Sequence, residues 1–534
     1  MLADGVSKDI TPQEGSKNSF WGWSRDDQNL YIKSNARDAR FFDLLKKSIS
    51  SLHEEVAIGE TIYQNDNGFE LQAISDNERY LAVSQALTTS SSKMYLIDRE
   101  TGNSLEVSEG DKALYVPQYF GLDNQSLYYL TNKDREFTVL MKYDIPSKEH
   151  MVVYETNWDV DYAFESYNEK YRVIGVNEEA LTAIHVFDIA SGTEVELPDM
   201  PGRSIRAASI SRSEKLMRLT IGSSFGTDDL FVFNFESGEL TQLTNTLNPD
   251  INSEHLVDAE HVYYKSFDGT EIPAVYYQPK MASSENQVPA LVWVHGGPGG
   301  QSKRNYRELI QYLVNHGYAI LAVNNRGSSG YGKTFNRMDD RNHGEGDLQD
   351  CVWGKKFFES TGVVDMERIG IIGGSYGGYM VMAALTYTPE EFNVGVNIFG
   401  VTNWLRTLKS IPPHWESFRE ALYEELGDPY TEDSVRLRKI SPLFHTENVT
   451  KPLMVLQGAN DVRVLQVESD EIVDGVKANG VPVEYIIFDD EGHGFLKKEN
   501  ELEGYGKIKV FLDRHLKGEG EVTAEVIQES PLFL

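Results

Sequence analysis

Three residues that together could catalyse acyl transfer occur in this chain in a workable order: Ser375, Asp461 and His493. Ser375 lies in "IGIIGGSYGGYM", where Gly373-Gly374-Ser375-Tyr376-Gly377 reads G-x-S-x-G directly after an apolar run. In that pattern a strand ends, the chain turns sharply and a helix begins near Tyr376, which points the serine hydroxyl out of the sheet. A serine alone is a weak nucleophile and needs a base, plus a group that orients the base. For this kind of elbow the order along the chain is serine, then acid, then histidine. "MVLQGANDVRV" supplies Asp461 just beyond one buried strand, and "YIIFDDEGHGF" supplies His493 beyond the next.

Competing readings of the glycine cluster fail on specific positions. A dinucleotide fingerprint counted from Gly373 requires glycine where Ser375 stands, and a phosphate-binding loop requires a Gly-Lys-Ser/Thr that is absent. Among the other downstream histidines, His414 follows two prolines, His445 sits in "SPLFHTEN" and His515 lies on a helix near the end. Asp489, Asp490 and Glu491 are rival acids, but they share the loop of His493 and lie too near it in sequence. Acyl transfer also needs donors for the developing oxyanion. "WVHGGPGG" at 293–300 ends an early strand in a glycine-rich loop suited to supply one backbone N–H, and Tyr376, opening the helix after the serine, is placed to supply the second.

The elements that must position these groups read as a doubly wound α/β domain from about residue 270. "ALVWVHG", "YAILAVNNRG", "RIGIIGGS", "VGVNIFG", "PLMVLQG" and "VEYIIFDDEG" are apolar runs of the kind found in buried parallel strands. Helical stretches at 305–316, 347–360, 376–387, 466–479 and 501–517 alternate with them. Ligand-binding groups of such a sheet lie at the carboxyl ends of its strands. All the candidate residues fall there.

Residues 20 to about 260 have another rhythm. "LIDRETG", "KYDIPSK", "VFDIASG" and "VFNFESG" place Asp98, Asp144, Asp188 and Asn234 at intervals of 46, 44 and 46 residues. Each is an apolar strand followed by a polar turn that usually ends in glycine. A second polar turn recurs out of phase in "GWSRDDQNLYI", "AISDNERYLAV", "FGLDNQSLYYL" and "SISRSEKLMRL". Short strands with a period in the forties predict a β-propeller with one four-stranded blade per period. Five blades are countable, the first inferred from "FFDLLKK" around Asp43. Six or seven would be more usual, which leaves room for sequence upstream of Met1.

The 534 residues are 40% hydrophobic and 25% charged, the composition of a globular chain with more than one domain. A formal net charge of −33 argues against nucleic acid as a partner and fits a solubility surface. No run of 18 apolar residues occurs, so no membrane span is expected, and the first twenty residues lack the pattern of a signal peptide. The expectation is a soluble protein, cytoplasmic as given, or periplasmic or secreted if a leader was removed. The single cysteine, Cys351, rules out an intramolecular disulfide and reads as a core residue on a helix. The sequence is compatible with homo-oligomerisation.

Taken together, "HGGPGG", "NNRGSSGYG" at 324–332, "GGSYGGYM", "NDVRV" and "EGHGF" resemble the prolyl oligopeptidase family of serine peptidases, most closely its acylaminoacyl-peptidase branch and related bacterial members. The resemblance implies an N-terminal β-propeller (residues 1–265) followed by a C-terminal α/β-hydrolase domain (266–534). It implies hydrolysis of short peptides through an acyl-enzyme, with no cofactor or metal. It makes Ser375, Asp461 and His493 the triad, with Gly297 and Tyr376 as oxyanion donors. Arg463 matches the family's substrate-carbonyl binder and Val464 a specificity-pocket wall, with Trp404 in "FGVTNWL" aligned more loosely to that pocket. One branch of the family, the dipeptidyl peptidases, uses paired propeller glutamates, and the residues flanking Glu178-Glu179 do not match it. Gly374 also stands where that branch has tryptophan before the serine. A carboxylesterase, a dipeptidyl-peptidase-like exopeptidase and a non-enzymatic propeller module with an inert hydrolase domain are the rival readings.

Overall fold

A computed structural model describes residues 9–11, 15–52, 59–110, 112–202 and 204–519. Among them, the strands before residue 245 form five four-stranded sheets, each built from consecutive antiparallel neighbours. These are the blades of the N-terminal β-propeller. The first runs through Asn18–Trp23, Asn29–Asp38, Phe41–Ser48 and Glu60–Tyr63, and the fifth through Ser204–Ile210, Leu216–Gly222, Asp229–Asn234 and Leu240–Gln242.

The repeated residues do the same work in each blade. Asp98, Asp144, Asp188 and Asn234 end the third strand, and each side chain accepts a backbone N–H two or three residues on (Glu100, Ser147, Ser191 and Glu236, at 2.9–3.0 Å). The fourth residue after each takes a positive φ, as Gly102, Lys148, Gly192 and Gly238. That is why glycine is usual there, and Lys148 accepts the strained conformation instead. In the first blade Asp43 does not fill this role. It is buried in mid-strand and bound by Arg37, while Ser48 takes the turn position by pairing with Asn29. The turn between first and second strands recurs five times, with Asp27, Glu78, Asn124, Glu169 and Glu214 all at φ 53–58°. The fourth of these, in "ESYNEKY", extends the four instances read from the sequence.

Residues from 260 onward form an eight-stranded sheet. Glu260–Lys265 and Glu271–Tyr277 join its edge antiparallel, followed in spatial order by the parallel strands Ala319–Val323, Val288–Val294, Val364–Gly374, Val394–Ile398, Leu453–Gly458 and Val483–Phe488. The six predicted parallel runs are those six strands. Helices Glu308–Asn315, Gly346–Thr361, Tyr376–Tyr387, Gln466–Ala478 and Lys498–Leu512 accompany them, and Cys351 is fully buried on the second of these. Val288–Val294 is flanked on one side by the strand that follows it and on the other by Val364–Gly374, so the winding direction reverses there. The crevice at such a reversal is where α/β sheets bind ligands.

By compactness the chain divides into Met1–Glu155 with Ile411–Glu424, and Thr156–Ser410 with Glu425–Leu534. The first unit holds three blades around two apolar clusters, one including Leu44, Leu71 and Val83, the other Ala82, Leu127 and Val139. The second holds the last two blades and the eight-stranded sheet. Its largest core packs Leu291, Ile320, Ile372, Val396 and Leu456 against Leu313 and Phe511.

Candidate active site

The strand Val364–Gly374 delivers Ser375 at φ 58° and ψ −116°, a conformation that costs a non-glycine residue of order 1–3 kcal/mol. The strain is held from both sides. Ser375 N–H donates to Ile398 O at 2.9 Å, and its carbonyl accepts Tyr379 N–H at 3.0 Å in the first turn of Tyr376–Tyr387. The glycines after the serine are needed for close approach. A Cβ on Gly377 would stand 2.1 Å from Val294 O, and one on Gly378 2.5 Å from Gly400 Cα, so the helix could not seat on the strands with any side chain there. Gly374 is different, since a Cβ there would meet nothing nearer than 3.6 Å.

His493 Nε2 stands 2.9 Å from Ser375 Oγ, and its Nδ1 stands 2.6 Å from Asp461 Oδ2. A carboxylate can only accept, so Nδ1 carries the hydrogen, which leaves Nε2 bare to accept from the serine hydroxyl. Asp461 is buried, and its other oxygen accepts the backbone N–H groups of Arg463 (2.8 Å) and Val464 (2.9 Å). The two loops are tied together by Asn460 N–H donating to Glu491 O at 2.9 Å and Asn460 Nδ2 donating to Asp489 O at 2.8 Å.

The rival acids are engaged elsewhere. Buried Glu491 accepts from Leu496 N–H, Lys497 N–H and Asn500 Nδ2, each at 2.9 Å. Burial pushes its carboxyl up, yet these bonds outweigh it and hold the group below the ordinary range. Asp490 pairs with Lys497. Of the other histidines, His414 meets Lys17 Nζ, His445 Nε2 lies 3.0 Å from Lys439 O, and His515 packs on Phe511.

The glycine-rich loop after Val288–Val294 lies against the elbow: a Cβ built on Gly296 would come within 3.4 Å of Ser375 Cβ. Gly297 follows at φ 153°. Tyr376 opens the helix, so its N–H has no acceptor within the helix. Arg463 is exposed and Val464 buried. Trp404 is also buried and packs against the rings of Tyr376 (6.1 Å) and Tyr379 (5.1 Å), so its indole sits with the packing of the elbow helix.

Several residues that hold this arrangement carried no role in the sequence reading. His295 bridges the glycine loop, with Nδ1 2.8 Å from Gly296 O and Nε2 2.8 Å from Ser328 Oγ, and burial pushes it down to about 4. The Tyr376 hydroxyl donates a short bond to buried Asp347. Buried Arg326, in "NNRG", forks onto Asp350 at 2.8 and 2.9 Å and reaches Asp268 at 3.0 Å. Phe399, at φ 51°, packs on the His493 ring at 6.2 Å. A polar residue set in a buried helical face, as Asp347 and Asp350 are in "GDLQDCVW", was the available signal for two of these.

Residues 304–519 match the family model described as the prolyl oligopeptidase family. Over those residues, which hold Ser375, Asp461 and His493, the chain is similar to that family. It is a serine-type peptidase with the propeller and α/β-hydrolase architecture. It is 29% identical to dipeptidyl aminopeptidase BIII of Pseudoxanthomonas mexicana, over 97% of this chain and 76% of that one. It is 27% identical to an acylamino-acid-releasing enzyme of Arabidopsis thaliana, over 46% of this chain and 33% of that one. Its fold matches that of a puromycin-hydrolyzing peptidase from Mycobacterium tuberculosis with a TM-score of 0.81 at 18% identity, covering 94% of this chain and 79% of the other. Among the described residues, no helix is long and apolar enough to cross a membrane.

Proposed function

We propose that this chain hydrolyses short peptides with Ser375 as nucleophile, His493 as general base and then acid, and Asp461 as the group that orients the imidazole. The reading rests on one observation above all: an unbroken line from Ser375 Oγ through His493 to Asp461, at 2.9 and 2.6 Å, mounted on a strained elbow. The serine hydroxyl gives its proton to Nε2 as Oγ attacks the scissile carbonyl. The imidazolium then passes that proton to the departing amine, and water repeats the sequence to release the acyl group. The backbone N–H groups of Gly297 and Tyr376 are assigned to the oxyanion. Arg463 is assigned to a substrate backbone carbonyl and Val464 to the adjoining pocket wall. Trp404, packed on the ring of Tyr376, is assigned to the same pocket.

Oligopeptides and N-acylated peptides are the favoured substrates. A second reading, removal of dipeptides from a free amino terminus, draws support from the dipeptidyl aminopeptidase relative that matches almost the whole chain. The exposed Glu178-Glu179 turn adds to it: Ala180, next in sequence, accepts Arg304 N–H at 2.9 Å, four residues beyond the glycine-rich loop. Matched peptide anilides with free and with acetylated amino termini separate the two. A faster rate on the acetylated series supports the favoured reading, and a rate confined to free amino termini establishes the second. A fluorophosphonate label on any serine other than Ser375 would overturn the site.

A further inference from the structure

Behind the elbow helix lies a group of side chains that peptide hydrolysis does not use. Asp339, His343 and Glu425 belong to the same compact unit, and each is at least 97% buried. His343 Nε2 stands 3.3 Å from Asp339 Oδ2 and 3.4 Å from Glu425 Oε1, and one donor atom from each residue lies within 4.8 Å of the others. Nδ1 of His343 has no hydrogen-bond partner, and Nε2 faces both carboxylates without a well-formed hydrogen bond to either. An imidazole fully removed from water and so poorly satisfied is rare, and it calls for a ligand.

We propose that Asp339, His343 and Glu425 bind one divalent transition-metal cation of the zinc type. One imidazole nitrogen and two carboxylate oxygens form a ligand set that suits such an ion. The spacing fits as well. Tetrahedral bonds of about 2.0–2.1 Å place neighbouring ligand atoms about 3.3–3.4 Å apart, which is the separation of His343 Nε2 from each carboxylate oxygen. Charge points the same way. Two carboxylates with neutral imidazole leave a buried charge of minus two that a divalent cation cancels, whereas a proton on the ring cancels half.

The surroundings hold these groups in place. Asp339 packs so tightly on Gly327 that a Cβ there would lie 2.0 Å from its Oδ2. Arg341 N–H donates to Glu425 O at 2.9 Å, which joins the Asp339–His343 segment to the end of the helix Glu416–Leu426. The His343 ring meets Tyr376 edge-on at 5.8 Å. The cation would therefore brace the segment beneath the residue assigned to the oxyanion. No step of the hydrolysis passes through it, and the site departs from the absence of metal that the sequence implied.

The full-length protein, stripped by chelator and titrated calorimetrically with ZnCl2, should take up one equivalent and gain thermal stability. With CoCl2 it should show the intense visible bands of tetrahedral cobalt. His343→Gln and Glu425→Gln should each weaken Zn2+ binding by at least the roughly 10- to 100-fold that loss of an outer-shell partner costs. Should either variant fail to fold, anomalous diffraction from wild-type crystals grown with Zn2+ gives the decision, with a peak expected within bonding distance of His343 Nε2. No stoichiometric uptake, undiminished uptake in both variants, or an anomalous peak only elsewhere would each overturn the site and leave a protonated His343 between two carboxylates as the occupant.

Discussion

Asp461 divides its carboxylate between two tasks: Oδ2 holds His493 Nδ1 at 2.6 Å, while Oδ1 holds the backbone of Arg463 and Val464. The backbone bonds fix which oxygen faces the histidine. In Asp461→Asn the amide oxygen should keep the backbone donors, which turns the NH2 toward Nδ1. Nδ1 must then accept, the hydrogen moves to Nε2, and Nε2 can no longer take the serine proton. The expected result is a fall in kcat on the order of 10⁴-fold with an unchanged melting temperature. A loss under tenfold in a folded variant would remove Asp461 from the proposed role.

Ser375 carries backbone strain, at φ 58°, at the position of the proposed nucleophile. Ser375→Ala should abolish all but a trace of turnover and keep the strain, because alanine has the same Cβ at φ 58°. Ser375→Gly should be equally inactive yet more stable than the alanine variant by about 1 kcal/mol, the relief of strain being partly offset by the flexibility of glycine in the unfolded chain. Urea midpoints of the two variants give the comparison. An alanine variant at least as stable as the glycine variant would show that the elbow is unstrained.

The glycines of the elbow should separate by position. Gly377→Ala drives a Cβ to 2.1 Å from Val294 O and should cost about 1–3 kcal/mol or more, with activity lost as the helix shifts. Gly374→Ala meets only ordinary contacts and should cost under about 1 kcal/mol. Equal melting temperatures for the two variants would contradict the packing described for this turn.

That turn was legible because its constraint is local. Five residues around Ser375 announce a bend, and Asp461 and His493 each follow an apolar strand in the required order. Residues whose meaning depends on distant partners were not legible. Asp347 acquires its role from Tyr376, 29 positions away, and His343 from Glu425 across more than eighty. Residue type alone misled at Asp43, where an aspartate looked like the recurring turn although strand pairing gives that position to Ser48. The other turns were readable because their aspartate or asparagine caps the backbone within three residues.

Acid should expose His295. Burial pushes it down to about 4 in the folded protein, whereas the unfolded chain takes up the proton near 6.5. Between those values the unfolded state binds more protons, so this contribution to stability is complete above about pH 6.5 and is lost as the pH falls towards 4. The loss amounts to about 3 kcal/mol, with no further change below. His295→Gln lacks the titration. It should be the less stable protein at pH 7, with a gap to wild type that narrows by pH 4.5 in the first urea transition. A gap independent of pH would mean that His295 does not titrate on unfolding.

Arg463 offers the sharpest test of substrate class. Its backbone is fixed by Asp461 Oδ1 at 2.8 Å, and its side chain is exposed beside the loop that carries the acid of the proposed triad. A surface ion pair would be worth about 0–1 kcal/mol, and its loss would scarcely change catalysis. Glu468, the acid close by in sequence, is buried and accepts from Thr402 N–H, Asn403 N–H and Thr407 Oγ1. A guanidinium donating to a substrate carbonyl makes a charge-assisted bond worth roughly 1.5–3 kcal/mol. Arg463→Ala should therefore lower kcat/KM on peptides by roughly 10- to 150-fold. Small esters without a second carbonyl should lose far less. Arg463→Lys should recover only part of the loss, because a point charge lacks the planar fork. Equal losses on peptide and small ester, in a variant with an unchanged melting temperature, would show that Arg463 does not hold a substrate carbonyl.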